Sequence, residues 1–202
     1  MASSTSTPTT SAMPSSVMVL SDSLSTYMTP NVGSRDSGSA TLEIKVARIF
    51  NDLALEICRP GGRRLLPFCQ VPLQDPDAAC RELERCLDAG HAGVEIGNHV
   101  GDRDLDDEGI VTFLQHAASL DAPVFVHPWA MPSSPRLDRW MAAWLTGMPA
   151  ETHLSIIAMI LGGVFDRVPE SRRICFAHGG GSFAFWLGRL ENAWQRRPDV
   201  VG

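Results

Sequence analysis

From Leu42 onward the chain alternates between two apolar patterns. Long stretches place apolar residues three and four positions apart, as on one helix face, and short unbroken apolar runs bounded by turn residues lie between them. The first helical stretch runs from Leu42 to Leu55, with Ile44, Ala47, Ile49/Phe50, Leu53 and Ala54 roughly on one side. Pro60-Gly61-Gly62 ends it. Leu65 to Val71 is a run of strand length. Asp75-Pro76 then offers an N-cap and a proline for the first helical position, and Ala79, Leu83, Cys86 and Leu87 mark the inner face of a helix that stops near Gly90. Gly93 to Gly97 reads as a strand, and Leu105 to Leu120 as a helix with Ile110, Phe113, Leu114 and Ala117 inward. Pro123 to His127 is again a strand, and Pro149 to Phe165 is a helix apolar nearly all round. Arg173 to His178 is the last readable strand. Three glycines follow, then a helix striped with Phe183, Trp186, Leu187, Leu190 and Trp194.

Short strands without polar alternation are buried on both faces, and a helix between each pair makes the strands parallel. The expected class is therefore α/β, built from βαβ units. The pattern alone does not choose between a closed barrel and an open sheet. No GxGxxG or Walker A run is present, so a nucleotide-binding open sheet has little support.

Composition changes the picture only at the amino end. Of residues 1–40, 18 are Ser or Thr, Arg35 is the one base, and Asp22 and Asp36 are the acids. That predicts a disordered low-complexity tail, interrupted by a strand-prone island at Val17 to Ser21, with the folded domain over residues 41–202. Organelle transit peptides share the Ser-rich, acid-poor composition but carry several arginines, so the cytosol is the expected compartment. The net charge of -6, from 17 Lys+Arg against 23 Asp+Glu, gives no basic surface for nucleic acid. No apolar run reaches the ~18–20 residues that cross a bilayer, so neither nucleic acid nor membrane is expected as a partner. Five cysteines without a CxxC predict neither a disulfide framework nor a zinc ribbon, and Cys69 and Cys175 read as buried thiols.

Chemistry in parallel α/β folds gathers at the carboxyl ends of strands. His127 ends PVFVH and His178 ends ICFAH, the latter followed by Gly179-Gly180-Gly181. A neutral imidazole held there suits metal ligation or proton transfer. His91, His116 and His153 fall in helices or their caps and read as packing or surface residues. His99, two residues past a strand, is open to either role. HGGG also occurs in lipase oxyanion holes, but no G-x-S-x-G elbow accompanies it. Cys175 is three residues before His178 and so points to the opposite face. Arg189 is either a solvated helix arginine or a carboxylate clamp. Trp129, Trp140 and Trp144, spread over residues 129–144, are too apolar to leave in water and form either a lid or an oligomer contact.

Several stretches are recognisable together: NDLA (51–54), VPLQDP (71–76), ELERC (82–86), GVEIGNHV (93–100), FVHPW (125–129), WLTGMPAET (144–152), GGVFDRVP (162–169), FAHGGGSFAFWLGR (176–189) and RRPD (196–199). On them the chain resembles the aminocarboxymuconate-semialdehyde decarboxylase family of the amidohydrolase superfamily. The resemblance implies a (β/α)8 TIM-type barrel, here partial and lacking the first strand and the last strands, truncated at both ends relative to the family. It also implies one divalent metal, Zn2+, and non-oxidative decarboxylation of 2-amino-3-carboxymuconate semialdehyde in tryptophan catabolism, where the step controls quinolinate supply. His127 matches a metal-binding histidine, and His178 the histidine that deprotonates metal-bound water. Arg189 matches an arginine that reaches a small carboxylate substrate in the neighbouring subunit, which implies a homodimer. Trp140 or Met131 would line the pocket. The family's H-x-H pair and late aspartate have no counterpart here, so the zinc site is expected to be incomplete. The alternative expectation is a non-catalytic barrel fragment that acts only as a dimerisation partner.

Overall fold

The computed structural model describes residues 37–129, 131, 134–168 and 173–201. The Ser/Thr-rich tail and the island at Val17 to Ser21 lie outside the described residues, apart from the first positions of the first helix. The elements run α1 (Ser37–Cys58), β1 (Phe68–Gln70), α2 (Pro76–Ala89), β2 (Gly93–Ile96), α3 (Glu108–Ser119), β3 (Val124–Val126), α4 (Met148–Leu161), a short α5 (Val164–Arg167), β4 (Ile174–Phe176), α6 (Phe183–Arg196) and α7 (Pro198–Val201).

Local chemistry sets several of these boundaries. The Asp75 carboxylate accepts a hydrogen bond from the Ala78 N–H at 3.0 Å and caps α2, with Pro76 in its first turn. Gly90 ends the helix at φ 111°, a conformation that costs glycine nothing. Asp107 caps α3 through the Gly109 N–H at 3.0 Å.

The four strands form one parallel sheet in the order β1-β2-β3-β4. Its register aligns Gln70, Glu95, Phe125 and Cys175 in a row on one face. The other face carries Cys69, Val94, Val124, Val126, Ile174 and Phe176, which pack with Leu83, Ile110, Phe113 and Leu114 of α2 and α3 into one core. Each such side chain contributes about 1.5–3 kcal/mol by leaving water. Parallel α/β architecture is thus as expected, and the four strands are consecutive strands of a partial barrel.

Three details differ from the sequence pattern. α1 buries Ala47, Asn51, Ala54 and Cys58, while Ile49 (65% exposed) and Leu53 face outward. Small residues let the helix sit close to the sheet, and that contact decides its orientation over the bulkier side chains. Cys69 is buried but Cys175 is exposed, because β4 is the last strand of the described sheet and Cys175 is on the face opposite the core. The aromatic stripe of α6 is present, yet no residue of that helix is buried among the described residues.

A buried polar cluster fastens α1, β1 and α2 together. The Glu82 carboxylate accepts from Arg85 Nε (2.9 Å) and Nη2 (2.7 Å), from Asn51 Nδ2 (2.9 Å) and from Arg48 Nε (3.1 Å). Burial pushes its pKa up, but the bonds from Arg85 and Asn51 outweigh this and leave it below the ordinary carboxyl range. A depressed folded-state pKa gives stability that is present above the unfolded value and lost as pH falls through the folded one. The melting temperature should therefore drop as pH goes below about 4.3. Glu82→Gln should start lower and show a shallower acid decline. Equal acid slopes in melts of the two proteins would remove Glu82 as the cause.

Candidate functional site

The parallel register of β3 and β4 brings two histidines side by side. His127 directly follows β3, and its N–H donates to the Ile96 carbonyl at 2.9 Å, extending the ladder past the strand. On the neighbouring strand the Ala177 N–H donates to Val126 at 2.9 Å, which places His178 next to His127. The two ring centroids are 5.1 Å apart, and Trp129 lies against His127 at 5.3 Å.

The chain then turns sharply. His178 has φ 56°, and Gly179, Gly180 and Gly181 follow with φ 61°, 82° and 62°. A left-handed conformation at a non-glycine residue is strained, and such strain concentrates at functional sites. His178 is exposed and His127 half-buried.

The amino end of α4 supports this turn. Gly181 sits so close that a Cβ there would lie 2.1 Å from the Pro149 carbonyl oxygen. The Thr152 hydroxyl is 3.0 Å from His178 Nδ1, and His153 Nδ1 is 3.0 Å from Ser182 Oγ. The strand-end loop after β2 is tied to the same helix. Asn98 Nδ2 donates to Glu151 at 2.6 Å, and Ser155 Oγ donates to the Asn98 carbonyl at 3.1 Å. The sequence reading missed Thr152, Glu151 and Asn98. All three fall within recognisable stretches, GMPAET and GVEIGNHV, but nothing in their spacing ties them to a strand end.

The other expected site residues have these neighbours. Arg189 lines an open cavity of about 490 Å³ between α4 and α6 with His153, Ile157, Trp186, Leu190 and Ala193. Its guanidinium is 5.8 Å from the Trp186 ring and makes no ion pair among the described residues. Trp140 is 73% exposed at φ 56°, with the Arg139 guanidinium stacked 4.2 Å over its ring. Met131 packs beside Gly147.

The remaining histidines have local tasks. His91 is buried and donates through Nδ1 to the Cys86 carbonyl at 3.1 Å, and burial lowers its pKa. His99 donates to the Gly101 carbonyl at 2.7 Å, and His116 faces Glu84 at 3.0 Å. Burial also lowers the pKa of His153.

All six histidines of the chain are therefore placed, and two of them meet. Among the described residues no group of three or more His, Cys, Asp or Glu is arranged to hold a metal. Two imidazoles fall short of the three or four protein donors of a zinc site, so the described donor set does not fit a complete metal centre. No helix among the described residues is long and apolar enough to cross a membrane.

Comparison with known proteins places this geometry. Residues 20–201 match the amidohydrolase family. The chain is 39% identical over 158 residues to the 2-amino-3-carboxymuconate-6-semialdehyde decarboxylase of Dictyostelium discoideum, an alignment that covers 78% of this chain and 44% of that protein. The structure of Metarhizium anisopliae IDCase superposes with a TM-score of 0.73 at 27% identity, over 80% of this chain and 45% of that one. So does the 5-carboxyvanillate decarboxylase of Novosphingobium aromaticivorans, solved with manganese and 4-hydroxy-3-methoxy-5-nitrobenzoic acid, with a TM-score of 0.65 at 26% identity, over 78% of this chain and 47% of that one. The chain spans about half the length of the curated relatives it matches. With consecutive βα units in a parallel sheet, histidines at neighbouring strand ends and a match along most of its length, the chain belongs to the amidohydrolase family.

Proposed function

We propose that this chain contributes the His127–His178 face of a carboxy-lyase acting on a small carboxylate, 2-amino-3-carboxymuconate semialdehyde, in tryptophan catabolism in the cytosol. The observation that carries the reading is the pairing of the two histidines at adjacent strand ends. In non-oxidative decarboxylation the bond from carbon to carboxylate breaks, carbon dioxide leaves and the carbon takes up a proton. His178, exposed at its strand end, is the group that handles a proton. His127 is the donor to a divalent metal, zinc in this reading. The remaining donors must come from outside the described residues. Arg189 presents a guanidinium fork for a carboxylate, and its place in the α4–α6 cavity suits a pocket shared with a second subunit of a homodimer. Trp140 and Met131 supply apolar lining.

The short donor set favours a second reading, in which the chain by itself is a non-catalytic partner. Incubation of the purified chain with the semialdehyde and excess zinc or manganese separates the two. Metal-dependent release of carbon dioxide that disappears in His178→Ala carries the first reading. A flat trace at saturating metal, from a chain that forms a stable complex with a full-length relative, carries the second. Fewer than one zinc per chain should survive gel filtration, since two imidazoles hold the ion far more weakly than a full donor set.

A further inference from the structure

We propose that Thr152 is a positioning residue that fixes which ring nitrogen of His178 carries the proton, an inference that rests on the reading of His178 as the proton-handling group. Thr152 is 0% exposed, so water does not compete for its hydroxyl. Its Oγ1 lies 3.2 Å from the Met148 carbonyl, one helical turn earlier, and 3.0 Å from His178 Nδ1.

A hydroxyl has one proton to give and lone pairs to accept with. The Met148 carbonyl can only accept. Helical threonines commonly donate to the carbonyl four residues back. Both contacts are hydrogen bonds at once in one arrangement only: Oγ1 donates to Met148 and accepts from His178 Nδ1–H. A neutral His178 then carries its lone pair on Nε2. The opposite arrangement, with Oγ1 donating to Nδ1, forms one bond in place of two.

The backbone alone cannot do this. His178 sits at φ 56° at the head of a glycine run, and its side chain is exposed. A buried hydroxyl on the neighbouring helix meets the ring at Nδ1 and orients it from that side. The third member of the unit orients the second, as in other sites where a base must present a chosen nitrogen.

The test uses the full chain, metal-free, with 15N-labelled histidine rings, at one pH where the His178 ring is neutral. Long-range proton–nitrogen spectra distinguish the two tautomers, and His178→Gln identifies the resonance. The expected result is the Nδ1–H form in the native protein and in Thr152→Ser, with a mixed population in Thr152→Val. An Nε2–H form in the native protein, or an unchanged tautomer in Thr152→Val, overturns the proposal. If Thr152→Val fails to fold, the native and Thr152→Ser spectra still decide.

In a preparation that turns over substrate, Thr152→Val should lower kcat by about tenfold or more, part of the effect of a general base, with KM little changed. Thr152→Ser should restore most of it. The expected tautomers combined with an unaltered kcat would uphold Thr152 as the orienting group and overturn His178 as the proton-handling one.

Discussion

Gly181→Ala should destabilise the protein by about 4 kcal/mol, at the upper end of single-residue effects. Gly181 has φ 62° and ψ -126°, a region that essentially only glycine enters, and strain there costs of order 1–3 kcal/mol by itself. An added Cβ would also lie 2.1 Å from the Pro149 oxygen, 3.0 Å from the Pro149 carbonyl carbon and 3.2 Å from the His153 nitrogen. All three are backbone atoms of α4 and cannot rotate aside. The turn must lift away from the helix, which stretches the Thr152–His178 and His153–Ser182 bonds together. Gly179→Ala is the control. Its φ is also positive, 61°, but nothing lies within 4 Å of the added Cβ, so it should cost only about 1–2 kcal/mol. Urea melts of the two variants check this. Equal midpoints would mean that close approach to α4 is unimportant.

Asn51→Ala should cost about 3 kcal/mol, from three lost hydrogen bonds at about 1 kcal/mol each. Asn51 Oδ1 accepts from the Gln70 N–H at 2.8 Å, while Nδ2 donates to the Gln70 carbonyl and to Glu82, both at 2.9 Å. One side chain thus bonds the side of β1 away from β2 and fixes α1 and α2 to it. Truncation also strands the Gln70 amide in a buried position, and an unsatisfied group there is the expensive outcome. Asn51→Asp should be worse than alanine at neutral pH. It removes both donors and sets a carboxylate against the Glu82 carboxylate. Acidification to about pH 4 should narrow the gap between the two variants as carboxyls take up protons. Stability curves for both at two pH values are the measurement. A more stable Asn51→Asp at pH 7 would contradict this account of the cluster.

These two positions show what could be read from the chain and what could not. The limits of α2 follow from Asp75, Pro76 and Gly90, because caps and breakers act on their own neighbours. The strands at Gly93–Ile96 and Val124–Val126 were legible as apolar runs for the same local reason. His127 and His178 were legible as strand-end histidines, and their meeting follows once β3 and β4 are neighbours. Thr152 was not, since 26 residues separate it from the imidazole it bonds and only the docking of α4 against the glycine turn brings them together. The orientation of α1 was also hidden. Periodicity favoured Ile49 and Leu53 as inward residues. The buried bonds of Asn51 and the small side chains of Ala47 and Ala54 point the helix the other way, a tertiary effect absent from any count of apolar spacing.

The strand order β1-β2-β3-β4 has a kinetic meaning. Among the described strands none inserts between two earlier ones, so each βα unit docks on the unit made just before it. At the ~5–20 residues per second of ribosomal synthesis, a unit emerges every few seconds, far longer than the ~1–10 μs in which small elements form. The sheet can therefore grow in step with its own translation. At each stage the newest strand offers an open edge, and the newest helix an uncovered apolar side, to whatever arrives next. α6, with Phe185 91% exposed, is the last large surface of this kind that the described chain presents.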